Sequence, residues 1–483
     1  MFDIFTKTDD TPNIAKVLFG SNIEERDEFI EIKNPYTKKV VSKYPKCDAN
    51  DAKKALEIAQ NAAKVAKNIP LHQRISWLED VASKLRQKSD EFAKLIVDEV
   101  GKPLKFAKIE VIRCAETIEL TAKELINLHG ETIATDATAS GKKAMAYYKR
   151  VPVGVVSAIT PFNFPLNLVA HKIAPALGAG NTVVLKPTPE APMCAYALAK
   201  LFIESEFAVK DALSVVYGDA EVGSELVSNS IPRVISFTGS AQVGKIIMKN
   251  AGIKKVALEL GGNAATFIDE SADIEDAAKK CAFGSFYNSG QVCISLQRIY
   301  VHQNVYDEFA NALANEAKTL KVGSPYEEET FMGPLINEDA KLRAARWVAS
   351  AIDEGAKVLY GGEEVDGIFP PTVMIDVRDD MKIVCEEVFA PIVSLVKVNS
   401  YEEAIEKINN SPYGLQYSIF TNSLENTRAF IDDAEAGGVV VNDIPTVRFD
   451  IQPYGGIKQS GIGKEGPKFA LEEFTEIKSV VIF

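Results

Sequence analysis

The chain has 483 residues, enough for two or three domains that each bury a core. Its 46% hydrophobic and 25% charged content is that of a globular protein, and a formal charge of −13 excludes an extended basic surface for nucleic acid or an anionic membrane. Six cysteines stand apart with no Cys-x-x-Cys, which excludes a disulfide scaffold, a zinc knuckle and a redox dithiol.

The opening Met1-Phe2-Asp3-Ile4-Phe5-Thr6-Lys7 lacks the basic-then-apolar order of a signal peptide. No apolar run reaches the length of a membrane span, so the cytoplasm is the expected location. After an extended start, Ala52, Ala55, Leu56, Ala59, Ala62, Ala63 and Ala66 follow the i, i+3, i+4 spacing of a helix with one tightly packing face. Ile75, Leu78, Val81, Ala82 and Leu85 repeat the pattern, and Val100-Gly101-Lys102-Pro103 stops it.

From Val151 the rhythm changes. Strands are expected at Val153–Ile159, Thr182–Lys186, Leu213–Tyr217 and Val234–Phe237, with helices near Leu168–Leu177 and Met193–Ile203. Short apolar strands alternating with amphipathic helices indicate parallel βαβ units, the architecture of a doubly wound nucleotide-binding sheet. The alternation resumes after Gly262, with helices near Ala277–Tyr287 and Val305–Leu320. Strands are expected there at Arg298–Val301, Lys357–Tyr360, Ile392–Val396, Ser418–Phe420 and Val439–Val441, giving a second α/β domain. The apolar tail Ile477–Phe483 reads as a strand that must pair with another element or subunit.

In open α/β sheets ligands collect at the carboxyl ends of strands, and four such ends carry suitable chemistry. Ile159-Thr160-Pro161-Phe162-Asn163-Phe164-Pro165 follows the first, with prolines to stiffen it and an amide donor at Asn163. Taken alone, Asn163 is a turn residue; near a thiol it is half of an oxyanion hole. Lys186-Pro187 ends the second strand and can reach ribose hydroxyls, although a solvated strand end is the blander alternative. Gly218 to Gly223 ends the third without forming Gly-x-Gly-x-x-Gly. Phe237-Thr238-Gly239-Ser240-Ala241-Gln242-Val243 ends the fourth and opens a helix suited to phosphate.

Glu259-Leu260-Gly261-Gly262 and Gly290-Gln291-Val292-Cys293 then present a carboxylate and a thiol on glycine-flanked turns, a combination suited to covalent acyl-sulfur chemistry. A buried cysteine is more often packing than chemistry. The histidines His72, His129, His171 and His302 show no site-like context, and His129 and His171 read as structural. Glu259, flanked by Leu258 and Leu260, is the better base because desolvation raises a carboxyl pKa. The residues alone thus reach a nucleotide-binding α/β enzyme.

Taken together these segments resemble the NAD(P)-dependent aldehyde dehydrogenase superfamily, most closely its lactaldehyde dehydrogenases. Glu259-Leu260-Gly261-Gly262 matches the family's glutamate motif, Gly290-Gln291-Val292-Cys293 its cysteine motif and Asn163 its oxyanion asparagine. Glu386-Glu387-Val388-Phe389-Ala390-Pro391 matches a segment whose second Glu and Phe hold the nicotinamide ribose and ring. Pro453-Tyr454-Gly455-Gly456-Ile457-Lys458-Gln459-Ser460-Gly461 matches a further signature. The resemblance implies that Cys293 attacks an aldehyde, that Asn163 and the Cys293 N–H hold the oxyanion, and that hydride leaves for the nicotinamide. Glu259 then activates water to hydrolyse the thioester. It also implies a cofactor site drawn from Ile159, Thr160, Pro161, Phe162, Lys186, Pro189, Gly218, Gly223, Phe237, Gly239, Ser240, Val243, Leu260, Glu387 and Phe389. No metal is expected.

Many NAD-preferring members carry Glu three residues after the Lys186 equivalent; Pro189 stands there, with Glu190 next, so NAD and NADP both remain open. Members acting on glyceraldehyde 3-phosphate typically carry Arg before the cysteine, where this chain has Val292. Arg113 and Arg448 are candidates for the substrate's polar end, or else salt bridges. The expectation is oxidation of lactaldehyde or glycolaldehyde. A non-phosphorylating glyceraldehyde-3-phosphate or semialdehyde dehydrogenase, a cofactor-independent thiol esterase and a silent scaffold are the rivals. The expected subunit has a cofactor domain (1–127 and 148–258), a catalytic domain (259–450) and an oligomerisation element (128–147 and 451–483) that makes a homodimer or homotetramer.

Overall fold

The computed structural model describes residues 11–483; the opening segment Met1–Lys7, read above against a signal peptide, lies outside them. The alanine-rich stripe forms helix Ala49–Ala66, with Asp48 capping its first turn and Ala52, Ala55, Leu56 and Ala59 fully buried. Helix Leu71–Gln87 buries Trp77, Leu78, Val81 and Leu85, and Trp77 Nε1 donates to the Phe202 carbonyl at 2.8 Å. These helices, with Ser89–Val100 and Leu104–Glu124, close one core around the first large sheet.

That sheet has eight strands. Its parallel centre runs, in spatial order, Lys255–Glu259, Val234–Thr238, Val155–Ile159, Thr182–Lys186 and Leu213–Val215. From Val155–Ile159 the chain first winds one way through Thr182–Lys186 and Leu213–Val215, then returns to lay Val234–Thr238 on the opposite side. This is a topological switch point, and it opens a crevice at the carboxyl ends of Val155–Ile159 and Val234–Thr238. The extended start supplies a small hairpin to one edge, Val17–Phe19 antiparallel to Leu213–Val215 and Asn22–Glu24 antiparallel to Val17–Phe19. Gly461–Ile462 closes the other edge against Leu258 and Glu259. The strand expected over Leu213–Tyr217 stops at Val215, and Val216 and Tyr217 are buried beyond its end.

The second sheet has seven strands, ordered Lys357–Tyr360, Thr372–Ile375, Ile392–Val398, Leu296–His302, Ala264–Ile268, Gln416–Phe420 and Gly438–Val441, parallel except for the first pair. The chain enters it directly from the first sheet through Leu260–Asn263. The carboxyl end of one sheet therefore meets the amino end of the other. A third, three-stranded sheet joins Thr475–Ile482, Met145–Pro152 and Thr132–Ile133, so the apolar tail pairs within its own chain while Ile477, Val481 and Phe483 stay exposed. Among the described residues, no helix is long and apolar enough to cross a membrane.

Arg298, buried on Leu296–His302, locks the crossover in place. Its guanidinium donates to the carbonyls of Asn263 (2.9 Å) and Ile408 (3.3 Å). Arg298→Met should cost about 3 kcal/mol or more in urea unfolding, because hydrogen bonds from a charged donor to buried carbonyls are lost together.

Candidate active site

Register alone gathers the candidate residues. Ile159 pairs with both Lys186 and Phe237, and Thr238 pairs with Glu259, so all five line the carboxyl edge of the first sheet. Cys293 arrives from the opposite side, at the turn leading into Leu296–His302. Asn288 and Ser289 hold left-handed backbone (φ 51° and 57°) and Gly290 continues it (φ 70°). Such a run bends the chain sharply, and non-glycine residues keep it only where the surroundings fix it. Here Ser289 Oγ donates to the Gly333 carbonyl at 2.9 Å, and Gln291 Oε1 accepts from the Ile336 N–H at 2.9 Å.

The glutamate and cysteine motifs touch. A side chain on Gly262 would overlap the Cys293 carbonyl oxygen. Glu259 is 5% exposed; a Cβ on Gly455 would sit 2.7 Å from its Oε1, and its Oε2 has no hydrogen-bond partner among the described residues. Burial, then the neighbouring Glu465, raise the Glu259 carboxyl well above the usual range, against the pull of Arg448, Lys172 and Lys464. Burial pushes the Cys293 thiol up to about 11, while Tyr454 and Arg448 pull it down.

Asn163 is held through its backbone. Its carbonyl accepts from Lys102 Nζ (2.7 Å) and Asn288 Nδ2 (3.3 Å), leaving the side-chain amide without a protein partner among the described residues. Lys102 is fully buried, ion-paired with Glu110 and 3.8 Å above the Phe164 ring. Glu110 Oε1 in turn accepts the N–H groups of Leu166 (2.9 Å) and Asn167 (3.2 Å), which open helix Asn167–Gly178. The ion pair thus ties both ends of the Asn163 turn.

The residues expected to hold a dinucleotide fit one. Thr160 Oγ1 and Thr238 Oγ1 are buried at the crevice without partners. Lys186 is 7% exposed, its ammonium has no ion pair or hydrogen bond among the described residues, and burial lowers its pKa against Glu190 and Asp219. Gly223 lies against its stem. Ser240 Oγ accepts the Val243 N–H at 3.3 Å and caps helix Ala241–Asn250. Glu387 Oε1 accepts the Gly262 N–H at 3.0 Å, and burial pushes its carboxyl up to about 7. Phe389 packs edge-on against Phe162 at 5.9 Å. Pro189 follows Thr188, whose hydroxyl is tied to Glu190, and Gly218 packs on Val222 behind the crevice.

Neither candidate arginine is free. Arg113 donates twice to Asp450, at 2.9 and 2.8 Å. Arg448 donates to Glu465 Oε2 at 3.1 Å, and its guanidinium sits 3.7 Å from the Tyr454 ring centroid. Both belong to a buried charge cluster that sequence reasoning missed. His171, read as structural, places its Nε2 3.1 Å from Asp450 and 3.2 Å from Arg448, to donate to the carboxylate or, in the other tautomer, accept from the guanidinium. Lys172 pairs with Glu465 at 3.1 Å and donates to Ser236 at 3.2 Å. Burial and Arg448 keep His171 below its ordinary pKa, whereas Lys172, His171 and Arg448 overcome burial to hold Glu465 at about 2. The helix expected near Leu168–Leu177 contains both His171 and Lys172, but its spacing gave no sign of partners nearly three hundred residues away.

The chain belongs to the aldehyde dehydrogenase family, whose model matches residues 23–480. It is 42% identical over 460 residues to a 3-sulfolactaldehyde dehydrogenase of Priestia aryabhattai, covering 95% of this chain and 96% of that one. A lactaldehyde dehydrogenase of Methanococcus aeolicus is 40% identical over 96% of this chain and 98% of its own length. The crystal structure of a glyceraldehyde-3-phosphate dehydrogenase from Methanocaldococcus jannaschii complexed with NADP superposes with a TM-score of 0.90 at 39% identity, over 95% of this chain and 100% of that chain. The protein is an NAD(P)-dependent aldehyde dehydrogenase.

The raised Glu259 pKa has a stability consequence. At pH values below the ordinary carboxyl pKa the group is protonated whether folded or not, and nothing is lost. Above it the unfolded chain ionises first, so stability falls as pH rises toward the folded value. Glu259→Gln should therefore be more stable than wild type at pH 8, by on the order of 1 kcal/mol, with the gap closing at pH 4 in paired denaturation curves.

Proposed function

We propose that this enzyme oxidises a small 2-hydroxyaldehyde of the lactaldehyde class to its acid through a cysteine thioester. The contact between the glutamate and cysteine motifs carries this reading, since it brings a thiol and a buried, unpartnered carboxyl oxygen to one crevice beside a free amide. Cys293, as thiolate, adds to the aldehyde carbon, and the Asn163 amide with the Cys293 N–H receives the developing oxyanion. The bound nicotinamide supplies the hydride acceptor. Glu259 then takes a proton from the water that attacks the thioester, and its raised pKa suits it to that role near neutral pH.

The Arg113 pair with Asp450 favours a neutral tail. A phosphate dianion needs cations with spare charge, and the Nε–Nη2 edge of the Arg113 guanidinium is already paired with the Asp450 carboxylate. Val292, standing before the nucleophile, agrees. A sulfonated tail is the second reading; the relative from Priestia aryabhattai and the buried Arg448 Nε, which has no hydrogen-bond partner among the described residues, support it. Reduced cysteines suit a cytoplasmic setting, and all six thiols are free with none in a disulfide. The exposed face of Thr475–Ile482 suits assembly as a homodimer or homotetramer.

Reduced-cofactor formation is to be followed with lactaldehyde, 3-sulfolactaldehyde and glyceraldehyde 3-phosphate, each with NAD and with NADP. Lactaldehyde should exceed glyceraldehyde 3-phosphate by at least about tenfold in kcat/KM, the reverse order sinking the proposed substrate class. Cys293→Ala should abolish turnover. Asn163→Ala should lower kcat by about 100-fold to 1,000-fold in the same assay, the loss of one oxyanion donor.

A further inference from the structure

Tyr454 is 4% exposed, and its hydroxyl lies 2.8 Å from Cys293 Sγ. Three constraints fix it there. Its backbone N–H donates to the Glu465 carbonyl at 3.1 Å, and its carbonyl accepts from the Glu465 N–H at 2.7 Å. The Arg448 guanidinium, held by the Glu465 carboxylate, stacks on the ring at 3.7 Å. The next residue, Gly455, lies against Glu259. One short segment therefore touches both the thiol and the carboxyl.

We propose that Tyr454 is a further catalytic residue, donating its phenolic proton in a hydrogen bond to the Cys293 thiolate and holding the anion ready for attack. This rests on Cys293 being the nucleophile. The phenol keeps its proton at neutral pH, because burial and then Cys293 itself raise its pKa well above the ordinary value. It is thus a donor whenever the sulfur is ionised. A cation on the ring face draws density from the π system and makes the hydroxyl a better donor. The thiol needs such help. It is half-buried, burial raises its pKa, and Glu387 and Glu259 oppose its ionisation while Arg448 favours it. A hydrogen bond to the charged form is the remaining way to stabilise a thiolate in such a place. Arg448 therefore acts on the sulfur both directly and through the ring.

The test is the pH dependence of Cys293 alkylation by iodoacetamide, with no aldehyde or cofactor present, in wild type and Tyr454→Phe. Phenylalanine keeps the ring, its packing and the guanidinium above it, and removes only the hydroxyl. The alkylation midpoint should move up by about one unit or more, so that about tenfold less thiolate is present at a given pH below both midpoints. The alkaline-going limb of kcat/KM should move the same way. A midpoint that stays within 0.3 units of wild type, as an order-of-magnitude tolerance, overturns the proposal, because a residue that only packs would leave it in place. Cys293→Ala serves as the labelling control. If it retains aldehyde oxidation, the nucleophile assignment fails; if it is inactive and Tyr454→Phe alkylates like wild type, only the role of Tyr454 fails.

Discussion

A Cβ on Gly262 would overlap the Cys293 carbonyl, and one on Gly261 would overlap the Glu387 carboxylate. Two glycines let the crossover between the large sheets run directly beneath the cysteine turn. That approach brings the glutamate motif, at the end of the first sheet, against the cysteine turn at the start of the second. Gly262 also donates its N–H to Glu387, so one peptide touches the cysteine turn and a residue of the proposed nicotinamide site. Arg298 pins the carbonyl of the next residue, Asn263, from the second sheet. The geometry of the crevice is thus a backbone property before it is a side-chain one.

Around this crossing the interior carries an unusual load of charge. Arg113, Asp450, His171, Arg448, Glu465 and Lys172 form one connected chain of ion pairs and hydrogen bonds. Buried ion pairs of this kind contribute little net stability, because desolvation offsets their attraction. Their effect is on the neighbours. Lys172 and Arg448 settle the Glu465 charge, and the anion so fixed raises the Glu259 carboxyl. On the other side of the crevice, the Lys102–Glu110 pair grips the turn that carries Asn163.

The α/β alternation was legible because buried parallel strands are short apolar runs, and most expected boundaries lie within a few residues of the observed ones. The family motifs located Asn163, Glu259 and Cys293, whose surroundings depend on local glycines and prolines. What stayed hidden is long-range. Tyr454 meets Cys293 across 161 residues and His171 meets Asp450 across 279, separations at which no periodicity operates. Arg113 and Arg448 read as candidates for the substrate's polar end or as salt bridges, and nothing in the spacing named Asp450 and Glu465 as the carboxylates they pair with. The small strands Val17–Phe19 and Asn22–Glu24 were passed over as extended chain, since strands so short bear no usable alternation.

The meeting of two sheets end to end has a mechanical corollary. Asn163 and Glu259 both ride on the first sheet, at the carboxyl ends of two of its strands, and Cys293 rides on the second. If the sheets part slightly to let a dinucleotide leave, the sulfur draws away from the amide and the carboxyl together. Acyl formation and its hydrolysis would then both need the seam closed. Both halves of the cycle thus depend on where a single peptide crosses it.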